Sequence, residues 1–482
     1  MIKKGLLFIL LSTLVVSCKV GPDYRSPRIV MPCHYSEETP ILKEENIATW
    51  WKNFNDPFLN ELIQETLSGS FDLRLAMEKV CQSRSEYWTN FTSLFPEIEY
   101  AGSSTRSRLS QSVIGSRLLG PVYQDFYLAG FDAVWELDFF GKFRRGVAAA
   151  YATWQALDEN VRNVKIMVVS EVAKTYTLIR FYQNQLSITQ DIVLLDVELL
   201  NQAKELQKSG LSNQQAVENA IAKLESDSSS VIIFKTLFKQ SIYSLGILLG
   251  RAPETLVCSF NSLKNIPSAF GLIPAGLPSD LLRRRPDIRA AERNLAAATE
   301  QIGIAVAAQF PAIALTGSTS SYSANPIQGA NIGFASNTLR DLFDPKSLLW
   351  GAGGLITGPL IDFGKRSAAV DAQISLRKQA FIFYQQTIIK ALQEVEISLV
   401  AYFNEEKKLK ALERQEAANR KSLELIKDLF DAGLTAHTEV LTSQEKLLNS
   451  INTRLRSQSD LAISLITIYK SMGGDWGCSY SP

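Results

Sequence analysis

"WELDFFGKFRR", Trp135 to Arg145, finds an echo in "LIDFGKRSA", Leu360 to Ala368. Each copy sets an acidic residue before an aromatic, a glycine and a lysine, and each opens a long helical pattern. The residues are Asp138, Gly141 and Lys142 in the first copy, and Asp362, Gly364 and Lys365 in the second. A "DFG" also occurs where a kinase holds magnesium. No HRD-type catalytic loop precedes this one and no glycine-rich loop opens the chain, so the kinase reading is set aside.

The echo is part of a larger duplication. Gly141 and Gly364, Gly210 and Gly433, and Gly250 and Gly473 are each 223 residues apart. Around the middle pair, "KSGLSNQQAVENAIAKL" (Lys208 to Leu224) parallels "DAGLTAHTEVLTSQEKLL" (Asp431 to Leu448). Upstream the offset is 215: "FPEIEYAGSS" from Phe95 parallels "FPAIALTGST" from Phe310, and "FDLRLA" from Phe71 parallels "PDIRAA" from Pro286. The change of offset places a longer loop in the second half, between its two expected strands.

Both halves share one pattern. A helix opens each, near Asn60 in the first and over "LPSDLLRRRPDIRAAERNL" (Leu277 to Leu295) in the second, with Ser279 as its N-cap. Phe95-Pro96 and Phe310-Pro311 stop these helices, because proline lacks an N–H and restricts its predecessor. Two extended segments follow in each half, separated by turn-rich stretches: "RLSQSVIGSRLLGPVYQ" and "SANPIQGANIGFASNTLRD". Beyond each echo, no proline occurs from Gly141 to Ser209 or from Gly364 to Ala432. Apolar residues recur there at helical spacing, as at Val161, Val164, Val168 and Val172. A helix of ~65–70 residues spans roughly 100 Å, which implies coiled coil. Gly210 and Gly433 suit helix C-termini that need a left-handed residue, and a second helix then returns to Gly250 or Gly473.

The chain has 482 residues, a formal net charge of +1 and only two histidines, His34 and His437. That balance argues against nucleic acid as a partner. No nucleophile–base pair, phosphate loop or metal spacing appears, so neither an enzyme nor a cofactor is expected. "MIKKGLLFILLSTLVVSC" has a two-lysine start, an apolar run from Leu6 to Val16 and small residues before Cys18, which is similar to a bacterial lipobox. Cys18 would then carry acyl chains, two or more of which anchor stably. An ordinary signal peptide, or an anchor with an incidental cysteine, is the competing reading. Cys33, Cys81, Cys258 and Cys478 form no CxxC, and spacing alone pairs none of them.

No later segment offers ~20 uninterrupted apolar residues, so a bilayer span would have to be closed β-structure. "YLAGFDAVWEL" (Tyr127 to Leu137) alternates, with Tyr127, Phe131 and Trp135 on one face and Asp132 and Glu136 on the other. "AIALTGSTS" and "LLWGAGGLITGPLI" supply the second half's strands. Four strands cannot close a barrel alone, so closure needs several protomers. The echo then marks where a strand leaves the membrane and becomes a helix; a strand–helix junction in a soluble protein is the alternative.

Read end to end, the chain resembles the outer-membrane efflux and secretion channels, the TolC-like family, and within it the OprM-type lipoproteins. "CKVGPDYRSP" (Cys18 to Pro27), "WWKNFNDPFLNELI" (Trp50 to Ile63) and "LPSDLLRRRPDIRAAERNLAAATEQIGIAVAAQFPAIALTGS" (Leu277 to Ser318) carry the likeness. The resemblance implies a mainly α fold with a membrane β-barrel, built as a homotrimer with a twelve-stranded barrel and a periplasmic α-barrel. It also implies outer-membrane lipid around it, a periplasmic adaptor, and an inner-membrane transporter of RND or ABC type.

In this family the helix tips form the periplasmic aperture. The matching positions are Gly210 in the first half and Phe430, Gly433, Glu439 and Thr442 in the second. The family's second tip often reads Leu-Asp/Glu-Val-Leu-Asp-Ala-Gln-Arg, where this chain has "TEVLTSQE" (Thr438 to Glu445): Glu439 keeps the first acidic position, Thr442 replaces the second and Glu445 stands in place of the arginine. A single ring of Glu439 carboxylates is expected; the bland reading is a solvated helix residue. The expected organisation is a signal peptide (1–17), an extended lipidated segment (18–59), a first repeat (60–260), a linker (261–276), a second repeat (277–473) and a tail (474–482). Passive efflux of small molecules is the expected function. Export of a protein in a type I secretion system, or a coiled-coil lipoprotein scaffold that is no channel, are the alternatives.

Overall fold

The computed structural model describes residues 19–32, 34–35, 47–108, 123–268, 284–316 and 330–473. Cys18, Cys33, Cys478, the Ser279 cap and most of the turn-rich stretches lie outside the described residues. Among those described, Cys81 and Cys258 are free and exposed.

Helix α1 (Pro57–Gly69) begins three residues earlier than expected. Its N-cap is Asp56, whose carboxylate accepts from the N–H groups of Phe58 (2.9 Å) and Leu59 (3.2 Å), and proline at the first helical position needs no partner. Helix α2 (Phe71–Thr92) follows, then strands β1 (Glu97–Arg108) and β2 (Tyr123–Leu137). Helix α3 (Lys142–Lys208) and helix α4 (Gln214–Leu249) form the first long pair. The second repeat gives α5 (Pro286–Ala307), β3 (Ala312–Thr316), β4 (Ala330–Ser336), β5 (Leu348–Gly351), β6 (Gly353–Thr357), α6 (Lys365–Asp431) and α7 (His437–Ser471). Both α3 and α6 have 67 residues. By length and composition α4 could cross a bilayer, although Lys235 and Lys239 lie on it.

Two compact units emerge, and neither coincides with one sequence repeat. The first takes the N-terminal stretch to Pro27, Val80–Leu157 and Ala291–Tyr384; the second takes Arg28–Lys79, Asp158–Ala290 and Gln385–Pro482. In the second unit, Trp50 and Trp51 are buried, and the Trp50 ring stacks on Tyr469 with centroids 5.1 Å apart. Beside them the Tyr176 hydroxyl donates to Asp56 (2.6 Å). The fully buried Arg180 donates to Gln183 (2.8 Å) and faces the Phe260 ring.

The first unit holds the sheet, and here the strand pattern departs from expectation. Six strand segments occur among the described residues, not four. β4 lies inside a stretch read as a turn, and "LLWGAGGLI" is divided at Ala352. The reason β4 forms is its alternation: Ile332 and Phe334 fall on one face, while Gly333 meets Gly130 of β2. A Cβ on Gly130 would lie 2.6 Å from the Gly333 Cα, so only glycine allows this approach. The registers also align the segments. β3 and β4 both pair antiparallel with β2, β3 pairs with β6, and β4 pairs with β5. β3 and β4 therefore lie along one line of the sheet, and β5 and β6 along the next.

Tyr100, Phe131, Ile332 and Trp350 form one cross-strand row over these lines, and Leu137, Ile313 and Ile356 form another. Tyr100, Trp350 and Ile356 are 86%, 75% and 69% exposed. The opposite face carries Glu97, Glu99, Asp132 and Glu136, with Glu99 directly opposite Asp132. Along these rows one face is apolar and bare, while the opposite face carries the four acids.

Candidate functional site: strand–helix junctions, N-terminal stretch and helical tips

The acidic residue of each echo caps the helix that follows. Asp138 accepts from the N–H groups of Phe143 (3.2 Å) and Arg144 (2.9 Å), and its carboxylate also pairs with the Arg144 side chain at 3.1 Å. Asp362 accepts from Gly364 (3.0 Å) and Arg366 (3.3 Å). Gly141 and Gly364 have φ of +80° and +88°, which turns the chain from strand into helix. Lys142 pairs with Glu136 at 2.9 Å, while Lys365 is exposed. The capping role of the two aspartates is legible as an N-cap residue type before a helical run.

Sequence reasoning missed how the N-terminal stretch is held. Arg145, fully buried, donates to the carbonyls of Val20 (3.0 Å) and Gly21 (2.9 Å) and to Glu300 (2.8 Å). Lys19 also reaches Glu300 (3.1 Å), and the hydroxyls of Tyr24 and Ser26 both donate to Glu292 at 2.8 Å. Burial and the Glu292 carboxylate together push the Tyr24 hydroxyl well above the usual tyrosine range. Gly21 packs on Gly303, and Gly303 leaves room for the Arg145 side chain.

The helical tips repeat one geometry. Gly210 and Gly433 have φ of +72° and +73°. The N–H of Gly210 donates to Gln207 (2.9 Å) and that of Leu211 to Leu206 (2.8 Å). Gly433 to Phe430 and Leu434 to Leu429 reproduce these bonds, each at 2.9 Å. This is the paired bonding that satisfies the last carbonyls of a helix. The Phe430 ring lies 5.1 Å from that of His437, whose Nδ1 meets Gln202 of α3. Glu439 is exposed on the first turn of α7 and forms no ion pair among the described residues. Thr442 turns its hydroxyl back to the Thr438 carbonyl (2.8 Å).

Glu445, at the family's arginine position, has a cation of its own. Lys223 of α4 lies 2.9 Å from Glu445, 2.8 Å from Asp227 and 3.7 Å from Asp196 of α3. Burial works against the Lys223 ammonium, but its bonds to Asp227 and Glu445 prevail and raise its pKa. No group of side chains suited to hold a metal ion occurs among the described residues.

Comparison with known proteins agrees with this architecture. The family model described as outer membrane efflux protein matches residues 62–251 and 277–474, one block for each repeat. The chain is 30% identical over 475 residues to the solvent efflux pump outer membrane protein SrpC of Pseudomonas putida, covering 96% of each. It is 28% identical over 469 residues to the cation efflux system protein CusC of Escherichia coli, again covering 96% of each. Among solved structures it matches the outer-membrane channel OprN with a TM-score of 0.83 and 27% identity, over 95% of this chain and 100% of that one. The protein belongs to the outer membrane efflux protein family, and is an outer-membrane channel rather than an enzyme.

Proposed function

We propose that the chain is the outer-membrane conduit of a tripartite efflux system, working as a homotrimer that passes small molecules passively. The observation that supports this most directly is the sheet. It exposes an apolar face and ends on two lines, β1 and β5–β6, that have no further partner among the described residues. Unpaired backbone groups cost several kcal/mol each in hydrocarbon, by an order-of-magnitude reckoning. Three copies joined edge to edge would remove both edges and give a twelve-stranded barrel. Cys18 would carry the lipid anchor, and an adaptor with an RND-type or ABC-type transporter would supply opening and energy. The names of SrpC and CusC refer to solvents and cations; exclusion of a small toxic solute is the matching role here.

Purified protein in a planar bilayer should give discrete ion conductance, and deletion of the gene should lower tolerance to a toxic solute. A non-conducting protein would defeat the proposal. In the trimer Glu439 would form a ring of three carboxylates at the tips, where charge selects ions. Glu439→Gln should then reduce cation preference, read as a smaller reversal potential in a salt gradient. Equal reversal potentials would make Glu439 a solvated residue only.

The alternation of β2 gives a separate test. A membrane-impermeant thiol reagent should modify cysteine at position 132, on the acidic face, and spare cysteine at 135. Trp135 shares its face with Phe131, and its indole N–H donates to the Leu94 carbonyl at 2.9 Å. Ready modification at 135 with none at 132 would reverse the assigned faces.

A further inference from the structure

Asp196 sits on α3 with 1% of its surface exposed, and neither carboxylate oxygen meets an N–H or O–H donor. On its own helix Ile192 and Leu200, one turn to either side, are buried. From α4 it faces Lys223 and Asp227, and from α7 it faces Glu445. Three carboxylates thus share one ammonium. Lys223 is already committed to Asp227 and Glu445 at hydrogen-bond distance and stays 3.7 Å from Asp196.

With every acid ionised the cluster would hold two uncompensated negative charges, one on a buried group without a donor. That arrangement is costly in a low-dielectric interior. One proton on Asp196 removes the charge from the group without a donor and leaves a single net negative charge, shared by Asp227 and Glu445 around Lys223. A protonated Asp196 becomes a hydrogen-bond donor within reach of Asp227, and Lys223 stays free to bridge Asp227 and Glu445.

We infer that Asp196 and Asp227 form a proton-binding site that fastens α7 of the second repeat to the α3–α4 pair of the first. The site lies about four helical turns from the tip glycines, at 3.6 residues per turn. Lys223 is the bridge: it binds the proton-sharing pair on one side and Glu445 on the other. This assignment concerns the packing of the helices and holds whether or not the protein conducts.

The direction of the pH response follows. Burial first, and then Asp227, push the Asp196 carboxyl up to about 7. The packed state therefore binds this proton more tightly than an opened state, where the carboxyl has its ordinary acidity. The stabilisation is complete below the ordinary carboxylate range and is lost as pH rises through about 7. Acid tightens the clasp and alkali loosens it.

Hydrogen–deuterium exchange of the full-length protein in detergent, at pH 6 and pH 8 and corrected for intrinsic exchange, tests this. Peptides over residues 190–200, 220–230 and 440–450 should open about tenfold more often at pH 8, since one pKa unit is tenfold in the equilibrium. Asp196→Asn, neutral and still able to donate to Asp227, should abolish the difference and protect all three at pH 8. Glu445→Gln should keep the response in the first two peptides and remove it from the third. A tenfold response surviving Asp196→Asn, or a wild type with no response, overturns the assignment. A third peptide still responding in Glu445→Gln would overturn the bridge through Lys223.

Discussion

Arg145→Met is expected to free the N-terminal stretch and to destabilise the first unit by about 3–5 kcal/mol, the usual cost of removing one partner from a buried ion pair. The carbonyls of Val20 and Gly21 lose their donors, and the largely buried Glu300 keeps only Lys19. Lysine should not restore the wild type, because one ammonium cannot reproduce the fork that reaches Val20, Gly21, Asp23 and Glu300. Gly303→Ala approaches the same defect from the other side: its Cβ would lie 2.5 Å from Nε and 2.6 Å from Cδ of Arg145. Both variants should unfold at lower denaturant concentration and expose residues 19–27 to protease. Wild-type unfolding of Arg145→Met with a protected N-terminal stretch would show that the clamp contributes nothing.

An alanine series over the six repeated glycines should separate two costs. All six have φ between +72° and +88°, so alanine pays about 1–2 kcal/mol at each for the left-handed backbone. At Gly210, Gly364 and Gly433 nothing lies within 4 Å of the added methyl, and that backbone cost is all. At Gly250 the methyl would land on the Gly69 carbonyl oxygen, and at Gly473 it would lie 2.9 Å from the Arg285 Cα. These two variants should lose several kcal/mol more, as backbone cannot move aside cheaply. Gly141 falls between, since its methyl would lie 3.1 Å from Cγ and 3.2 Å from Cα of Lys19, tight but not overlapping. Melting temperatures of the six purified variants give the order; equal shifts would mean that packing around Gly250 and Gly473 relaxes freely.

The same six glycines explain what could be read early. Their spacing exposed the duplication, and proline-free runs between them foretold the two 67-residue helices. These are local signals: a left-handed turn, a missing N–H, an apolar period. β4 escaped because Asn, Gly and Ser around it have turn character, and its strand state depends on Gly333 meeting Gly130 across the sheet. Arg145 escaped for a related reason. Lys142, Arg144 and Arg145 after a strand read as basic residues near a membrane–water boundary, and only the tertiary fold reveals that Arg145 is fully buried. Glu445 was read as a departure from the family's motif because its cation, Lys223, lies in the other repeat, 222 residues earlier.

The clamp on the N-terminal stretch also bears on the order of assembly. Tyr24 and Glu292 are 268 residues apart, and Arg145 lies between them in the chain. Such a contact must await the closure of a very long loop, which is slow compared with the formation of helices from neighbouring residues. Chain synthesis runs from the N-terminus, so Glu292, Glu300 and Gly303 arrive long after residues 19–26. This early segment is therefore among the last to settle. A chain truncated before α5 would leave that segment with no acidic seat, and its exposure would distinguish an unfinished protein from a complete one.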